Sequence, residues 1–394
     1  MVDLAGSRTM TRRRRPYGAR AHEAVPLLLS LDWVLLVAVA CLVGYGLWVV
    51  DGITASDVPD DPGYYVLRQG IAVALGVVLM AAAILVDPDV YRRYKGPLYA
   101  ATIGLMVLVF LVGTVARGSK RWIELEVFRF QPSEFGKLLV VLFLAAFLAD
   151  RGRRINDFST PLAAVALAVP PIVLVFLQPD IGSGLVYAAA LGACLFVAGT
   201  RWLHLALLGG AALVAVLGVL WFLPAAGVDV LKPYQQERLT AFLNPDEDPR
   251  DATYNIRQSI TAVGAGGLDG RGVSGATQTN LDYLPEHATD FAFASLAEQR
   301  GFIGAGFLLL LYLLVVWRAL KIVAVARDAF SAIVAGGIAF AVLFQVFVNV
   351  GMTMGVAPVT GIPLPFVSVG GSSMVVGLAA VGVLQAIHAR GRRR

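Results

Sequence analysis

Long apolar runs alternate with short polar breaks along almost the whole chain. Runs close to the ~20 residues that a membrane-spanning helix needs recur at 31–50, 68–86, 97–115, 134–149, 161–177, 183–199, 203–223, 295–317, 330–354 and 364–389. The pattern predicts ten transmembrane helices. The run 134–149 is short and opens on Glu134 and Lys137, and the pair 161–177 and 183–199 is parted only by Gln178-Pro179-Asp180-Ile181-Gly182. One long hydrophilic stretch, Pro224 to Ala294, follows the seventh run. The expected architecture is an all-α polytopic membrane protein. Its parts are a basic segment 1–30, helices one to seven over 31–223, a large loop 224–294, helices eight to ten over 295–389, and a basic tail 390–394. Inside the loop, Tyr254 to Val263 has the spacing of an amphipathic helix, with Ile256, Ile260 and Val263 on one side and Arg257 and Gln258 on the other. Such a helix is expected to lie along the membrane surface.

Composition agrees with this pattern. Of 394 residues 58% are hydrophobic and 15% charged, too apolar a balance for a dispersed globular domain. The net charge of +5 comes from clusters at Arg12 to Arg15 and Arg390 to Arg394 and from short basic breaks at Asp87 to Lys95, Asp150 to Asp157 and Arg318 to Asp328. Cytoplasmic loops retain Lys and Arg, so both termini are expected in the cytoplasm, with the basic runs attracted to anionic membrane lipids rather than to nucleic acid. The first apolar run begins near Leu27 and is long enough to span, which makes it an anchor rather than a cleaved signal. Loops 51–67, 116–133, 178–182, 224–294 and 355–363 then fall outside. Cys41 and Cys194 each sit within an apolar run, a pattern for packing and not for zinc or a disulfide framework.

Polar groups at a bilayer edge carry the chemistry. A charge within the bilayer costs roughly 2.5–3.5 kcal/mol on insertion scales, so it faces a cavity and finds partners. Arg121-Trp122 precedes Gln131-Pro132-Ser133-Glu134, and Glu134 and Lys137, three apart on one helix face, form an ion pair on the simplest reading. Asp180, with Ser183 three residues on, has the position of a helix N-cap. Arg68-Gln69 opens the second run, where the arginine can snorkel. Asp290, four residues after Glu286 and just before Phe291-Ala292-Phe293-Ala294, is either a cap for the next helix or a working acid. The glycine-rich Val263 to Gly270 segment lacks the strand and Lys-Ser/Thr setting of a nucleotide loop. Asn244-Pro245-Asp246-Glu247-Asp248-Pro249 has turn chemistry without EF-hand spacing. An outer cavity holding Arg, Lys, Trp and carboxylates suits a substrate with a phosphate head, a sugar and a lipid tail.

Five motifs in order resemble the SEDS family, the RodA and FtsW proteins. They are Gly118-Ser119-Lys120-Arg121-Trp122-Ile123, Gln131-Pro132-Ser133-Glu134, Gln178-Pro179-Asp180-Ile181-Gly182-Ser183, Leu284-Pro285-Glu286-His287-Ala288-Thr289-Asp290-Phe291, and the run from Gly361-Ile362-Pro363-Leu364-Pro365-Phe366 to Ser373. The Gly-Ile-Pro-Leu-Pro-Phe wording is more similar to RodA than to FtsW. The resemblance implies ten helices with a large extracytoplasmic loop between the seventh and eighth. It also implies a peptidoglycan glycosyltransferase of the bacterial plasma membrane that polymerises lipid II and works with a class B penicillin-binding protein in cell-wall elongation. The family's essential acid falls on Asp290 and its sensitive tryptophan on Trp122, while Glu134, Lys137, Asp180 and Arg68 match family cavity positions. One departure is Val369, where the family's usual residue is tyrosine, beside Ser368.

The expected reaction is an inverting transfer. Asp290 acts as general base or holds a divalent cation, Mg2+ or Mn2+, and Arg121, Lys137 and Arg68 neutralise the departing pyrophosphate. Trp122 packs on a sugar face or the lipid stem, with Glu286 and Ser368 nearby in the substrate site. Two other readings compete: a lipid II flippase or amphiphile transporter, and a scaffold whose activity resides in its partner.

Overall fold

The computed structural model describes residues 27–58, 60–116, 119–125, 128–222, 224, 227 and 252–392. The Arg12 to Arg15 run, the acidic turn at Asn244 to Pro249 and the last two arginines of the tail lie outside the described residues. The elements are α1 (Trp33–Ile53), α2 (Tyr64–Leu85), a short α3 (Pro88–Arg93), α4 (Lys95–Val112), strands β1 (Thr114–Ala116), β2 (Ser119–Leu125) and β3 (Phe128–Phe130), α5 (Pro132–Asp150), α6 (Ser159–Leu177), α7 (Ile181–Val197), α8 (Trp202–Leu217), α9 (Ala252–Gly266), α10 (Ala292–Val325), α11 (Ala329–Thr353) and α12 (Gly371–Gly391). A π-helical turn, Gly218–Phe222, prolongs α8. Among the described residues nine helices are apolar and long enough to cross a membrane, and α7, apolar over 17 residues, is the shorter tenth. The ten predicted runs are these ten helices.

Capping chemistry sets several starts. Asp32 accepts from the Leu35 amide at the head of α1, and Asp328 from the Ser331 amide at the head of α11, each satisfying a donor that the first turn leaves open. α5, α11 and α12 are the most buried spans, whereas the buried residue of α8 is His204 and the rest of that helix presents apolar side chains outward. In water such a surface would drive association; beside acyl chains it costs nothing. Cys194 is packed in the core, as expected, while Cys41 faces outward.

The two ends of the bundle differ. At one end Arg318 reaches Asp32 at 2.6 Å, Arg390 reaches Asp87 at 3.1 Å, Arg327 reaches Asp89 at 2.5 Å, and Asp150 holds Arg92 at 2.7 Å together with Lys95. Most of these pairs are half-exposed and worth little individually. The Asp32 side chain is almost wholly buried and ties α1 to α10. The other end carries the strands, α9 and the irregular segments that build the site.

Four local features depart from the sequence pattern. The segment between α4 and α5 is an antiparallel sheet in the order β1-β2-β3, a small strand element within an otherwise helical chain. Its alternating Lys120-Arg121-Trp122-Ile123 is too short for the pattern to declare a strand. The last span begins at Gly371 rather than 364, because Pro363 and Pro365 lack the amide hydrogens a helix needs. The amphipathic helix α9 turns Ile256 and, in part, Val263 inward as its spacing predicts, but not Ile260. It packs against α10 and α11 through Thr253, Ile256, Ser259 and Ala262, with the Ser259 hydroxyl donating to the Thr353 carbonyl at 2.8 Å, and Ile260 is exposed. Gly266 permits that docking, since a Cβ there would sit 1.9 Å from the Ala297 carbonyl oxygen.

The fourth departure is in α10, which breaks at Gly301 (φ 64°, ψ −164°), a conformation essentially reserved for glycine. The break lets Phe302 and Ile303 donate to the Gly267 and Leu268 carbonyls at 2.9 and 3.1 Å, pinning the hydrophilic segment to the helix. Behind it, the fully buried Glu298 carboxylate accepts from the Gln278 and Thr279 amides and the Thr279 hydroxyl.

Candidate active site

The N-termini of α5 and α7, strand β2, the turn before α10 and the irregular segment before α12 enclose a cavity of about 380 Å³. Arg121, Trp122, Glu134, Asp180, Glu286 and Asp290 all line it. Thus six of the nine residues singled out from the sequence converge on one space, although they come from four separate stretches of chain.

Asp290 ends a tight turn. The Thr289 and Phe291 amides both donate to the Glu286 carbonyl, at 3.1 and 3.2 Å, and Glu286 takes a left-handed conformation (φ 57°) to close it. The Thr289 hydroxyl donates to the Glu286 carboxylate at 2.8 Å. Asp290 does not cap α10: the cap position is Phe291, with no side-chain hydrogen bond. Its backbone is held instead, because the fully buried Asn349 amide of α11 donates to the Asp290 carbonyl at 2.9 Å and to the Ile362 carbonyl at 2.7 Å.

Ser368 works behind the wall. Its hydroxyl donates to the Thr289 carbonyl at 2.5 Å and accepts from the Leu364 amide at 2.9 Å, while its own carbonyl accepts from the Gln69 side chain at 3.0 Å. Val369 donates its amide to the Ala288 carbonyl at 2.9 Å and lines the cavity. Phe366, buried at φ 68°, lies in the same segment, which the Tyr312 hydroxyl grips at the Pro365 carbonyl. Ser368→Ala leaves the Thr289 carbonyl and the Leu364 amide unpaired in a buried place. The expected loss is about 1–3 kcal/mol of stability, with a lower kcat and little change in KM. Thermal unfolding and turnover measured on the same preparation check it.

Asp180 is engaged on both oxygens. One accepts from the Ser183 amide at 3.0 Å, the N-cap of α7; the other accepts from the Gln131 side chain at 3.1 Å and the Ser133 hydroxyl at 3.2 Å. It therefore fastens the start of α5 to the start of α7. Lys137 does not line the main cavity: its ammonium lies 2.7 Å from Glu134, and it faces an adjoining inner pocket of about 60 Å³ that Glu134 also lines. The ion pair expected from their spacing is present. Arg68 does not line the cavity either. It is exposed and lies 4.6 Å over the Tyr64 ring, while its neighbour Gln69 turns inward to hold Ser368 and the Gly370 amide.

Arg121 differs from both of these cations. Its Nε is buried and has no hydrogen-bond partner among the described residues. A buried donor left open costs about 1–3 kcal/mol, and an anionic oxygen in the cavity would remove that cost. Asn349 was not singled out from the sequence, and Gln69 was named only as the neighbour of Arg68. Both are amides inside apolar runs, where an unpaired polar group is expensive, and that signal alone could have marked them.

The fold is that of a polytopic helical membrane protein with a charged cavity at one end of its bundle. A family model described as "Cell cycle protein", covering FtsW, RodA and SpoVE, matches residues 29–393, and the chain belongs to that family. Among similar proteins, the peptidoglycan glycosyltransferase MrdB of Escherichia coli K12 is 37% identical over 91% of this chain and 93% of its own. Stage V sporulation protein E of Bacillus subtilis is 37% identical over 91% of this chain and 95% of its own. A solved structure described as a peptidoglycan synthase complex coordinating polymerization and crosslinking superposes with a TM-score of 0.77 at 32% identity, covering 92% of this chain and 99% of that one. The crystal structure of Thermus thermophilus RodA gives 0.67 at 29% identity, over 92% and 98%.

Proposed function

We propose that this chain is a peptidoglycan glycosyltransferase that polymerises lipid II into β-1,4 glycan strands at the outer face of the bacterial plasma membrane. The observation that carries the reading is the convergence of Asp290, Glu286, Trp122 and the open donor of Arg121 on one cavity. Relatives named as peptidoglycan glycosyltransferases support it over nine-tenths of the chain. The acceptor's 4-hydroxyl attacks the anomeric carbon of the donor, the bond from that carbon to the diphosphate breaks, and configuration inverts in one displacement. Asp290, ionised, takes the hydroxyl proton. Arg121 meets the negative charge that grows on the departing diphosphate, where a fixed cation is worth most. Trp122 offers an apolar face to a sugar ring or the lipid stem. Asp180 and Ser368 hold the walls, and Lys137 acts through Glu134.

A Mg2+ or Mn2+ ion at this site would be held by the Asp290 carboxylate and completed by substrate phosphates and water. When bound there, such an ion supplies charge neutralisation at the diphosphate.

Because cytoplasmic loops retain Lys and Arg, our reading assigns the basic end of the bundle to the cytoplasm, with both termini inside and the long hydrophilic loop outside. The polymerization-and-crosslinking complex found among similar structures supports a crosslinking partner, a class B penicillin-binding protein. A transporter would gather its charges near the bilayer midplane, whereas these line one end. The purified full-length chain, given lipid II in detergent with its partner and no membrane gradient, is expected to make glycan polymer. A folded, partner-bound preparation that makes none refutes the proposal.

A further inference from the structure

Beyond the cavity, three side chains from two stretches of chain meet at the same end of the bundle. His287 Nε2 lies 3.0 and 3.2 Å from the two carboxylate oxygens of Asp57, in the connection between α1 and α2, and its Nδ1 lies 4.0 Å from an Asp282 oxygen. One ring nitrogen and one oxygen from each aspartate fall within 4.8 Å of one another. The His287 and Asp57 side chains are only 10% and 14% exposed, whereas Asp282 is 85% exposed. Among the described residues neither aspartate has a Lys or Arg partner, so two carboxylates converge with an imidazole as their sole counterpart.

We propose that Asp57, Asp282 and His287 form a site for a divalent transition-metal ion, Zn2+ or Mn2+, distinct from any cation held at Asp290. One imidazole nitrogen with two carboxylate oxygens is a donor set suited to these ions, since imidazole favours zinc and its neighbours over the all-oxygen preference of Mg2+ and Ca2+. The exposed Asp282 arm is the movable ligand that completes the set, with water filling the open positions. The ion neutralises the paired carboxylates. It also clamps the α1–α2 connection to the turn that carries Glu286 and Asp290, because His287 sits within that turn and its carbonyl accepts from Ser295 of α10 at 3.3 Å. Metal occupancy would then set how firmly this wall of the cavity is held.

The test uses the full-length protein in detergent, stripped with EDTA and titrated with Zn2+ or Mn2+, reading bound metal per chain and the unfolding temperature. One saturable ion per chain and a raised unfolding temperature are expected, with Mg2+ unable to substitute. His287→Gln and Asp57→Asn should each weaken affinity by about tenfold or more. Asp282→Asn alters an exposed side chain and leaves folding untouched, so its weaker binding reports the site directly. Asp290→Asn should bind as the parent does. The proposal is overturned if the parent binds neither ion, if Asp282→Asn and His287→Gln both bind as tightly as the parent, or if binding disappears only with Asp290.

Discussion

Asp290→Asn is expected to leave the protein folded and partner-bound while lowering lipid II polymerisation by about 10²–10⁴-fold, the range that a positioned general base supplies. Asn349 holds the backbone carbonyl of residue 290, and asparagine keeps both that bond and the size of the side chain. What it loses is a negative charge and a proton acceptor. Both roles assigned to the acid, base and cation ligand, therefore fail together in this variant. Thermal unfolding and partner co-purification measured beside glycan synthesis separate a chemical defect from a folding one. Polymerisation within a few-fold of the parent would remove Asp290 from the reaction and with it the reading of the cavity.

Much of this was legible in the chain because membranes make sequence patterns strong. A span has no water to satisfy its backbone, so it must be a helix of near-fixed length, and ten runs could be counted directly. Ion pairs and caps at short spacing were equally legible: Glu134 with Lys137, and Asp180 with the Ser183 amide, are local geometry. What escaped was long-range. Nothing within residues 254–263 says that α9 docks against α10 and α11, because the complementary surface lies in Gly266 and the helix it meets some thirty residues further on. The fold does not bring Arg68 or Lys137 to the main cavity. Residue type placed both beside a leaving group, but Lys137 pairs with Glu134 beside the inner pocket, and Arg68 is exposed over the Tyr64 ring while its neighbour Gln69 turns inward. Asn349 and Ser368 hold carbonyls that come near only when 286–291 and 361–370 fold together.

The largest effect on stability is expected at Glu134. Its side chain is 4% exposed and that of Lys137 10%, with the two 2.7 Å apart in the interior of the helix bundle. Glu134→Gln keeps the shape but leaves a buried ammonium without its carboxylate, a change that costs about 3–5 kcal/mol. Replacing both, as Glu134→Leu with Lys137→Met, removes the desolvation cost of two ions at once, and such swaps are often neutral or stabilising by about 1–4 kcal/mol. The double variant should thus unfold at or above the parent's temperature while the single variant unfolds well below it. Glycan synthesis should not recover in parallel, because Glu134 also lines the cavity and the inner pocket, and a leucine there presents no polar group to a lipid-linked sugar. If the double variant regained both stability and polymerisation, the pair would be packing alone. If it regained stability without activity, the charge of Glu134 is needed where the substrate lies, and its burial is the cost of keeping it in place.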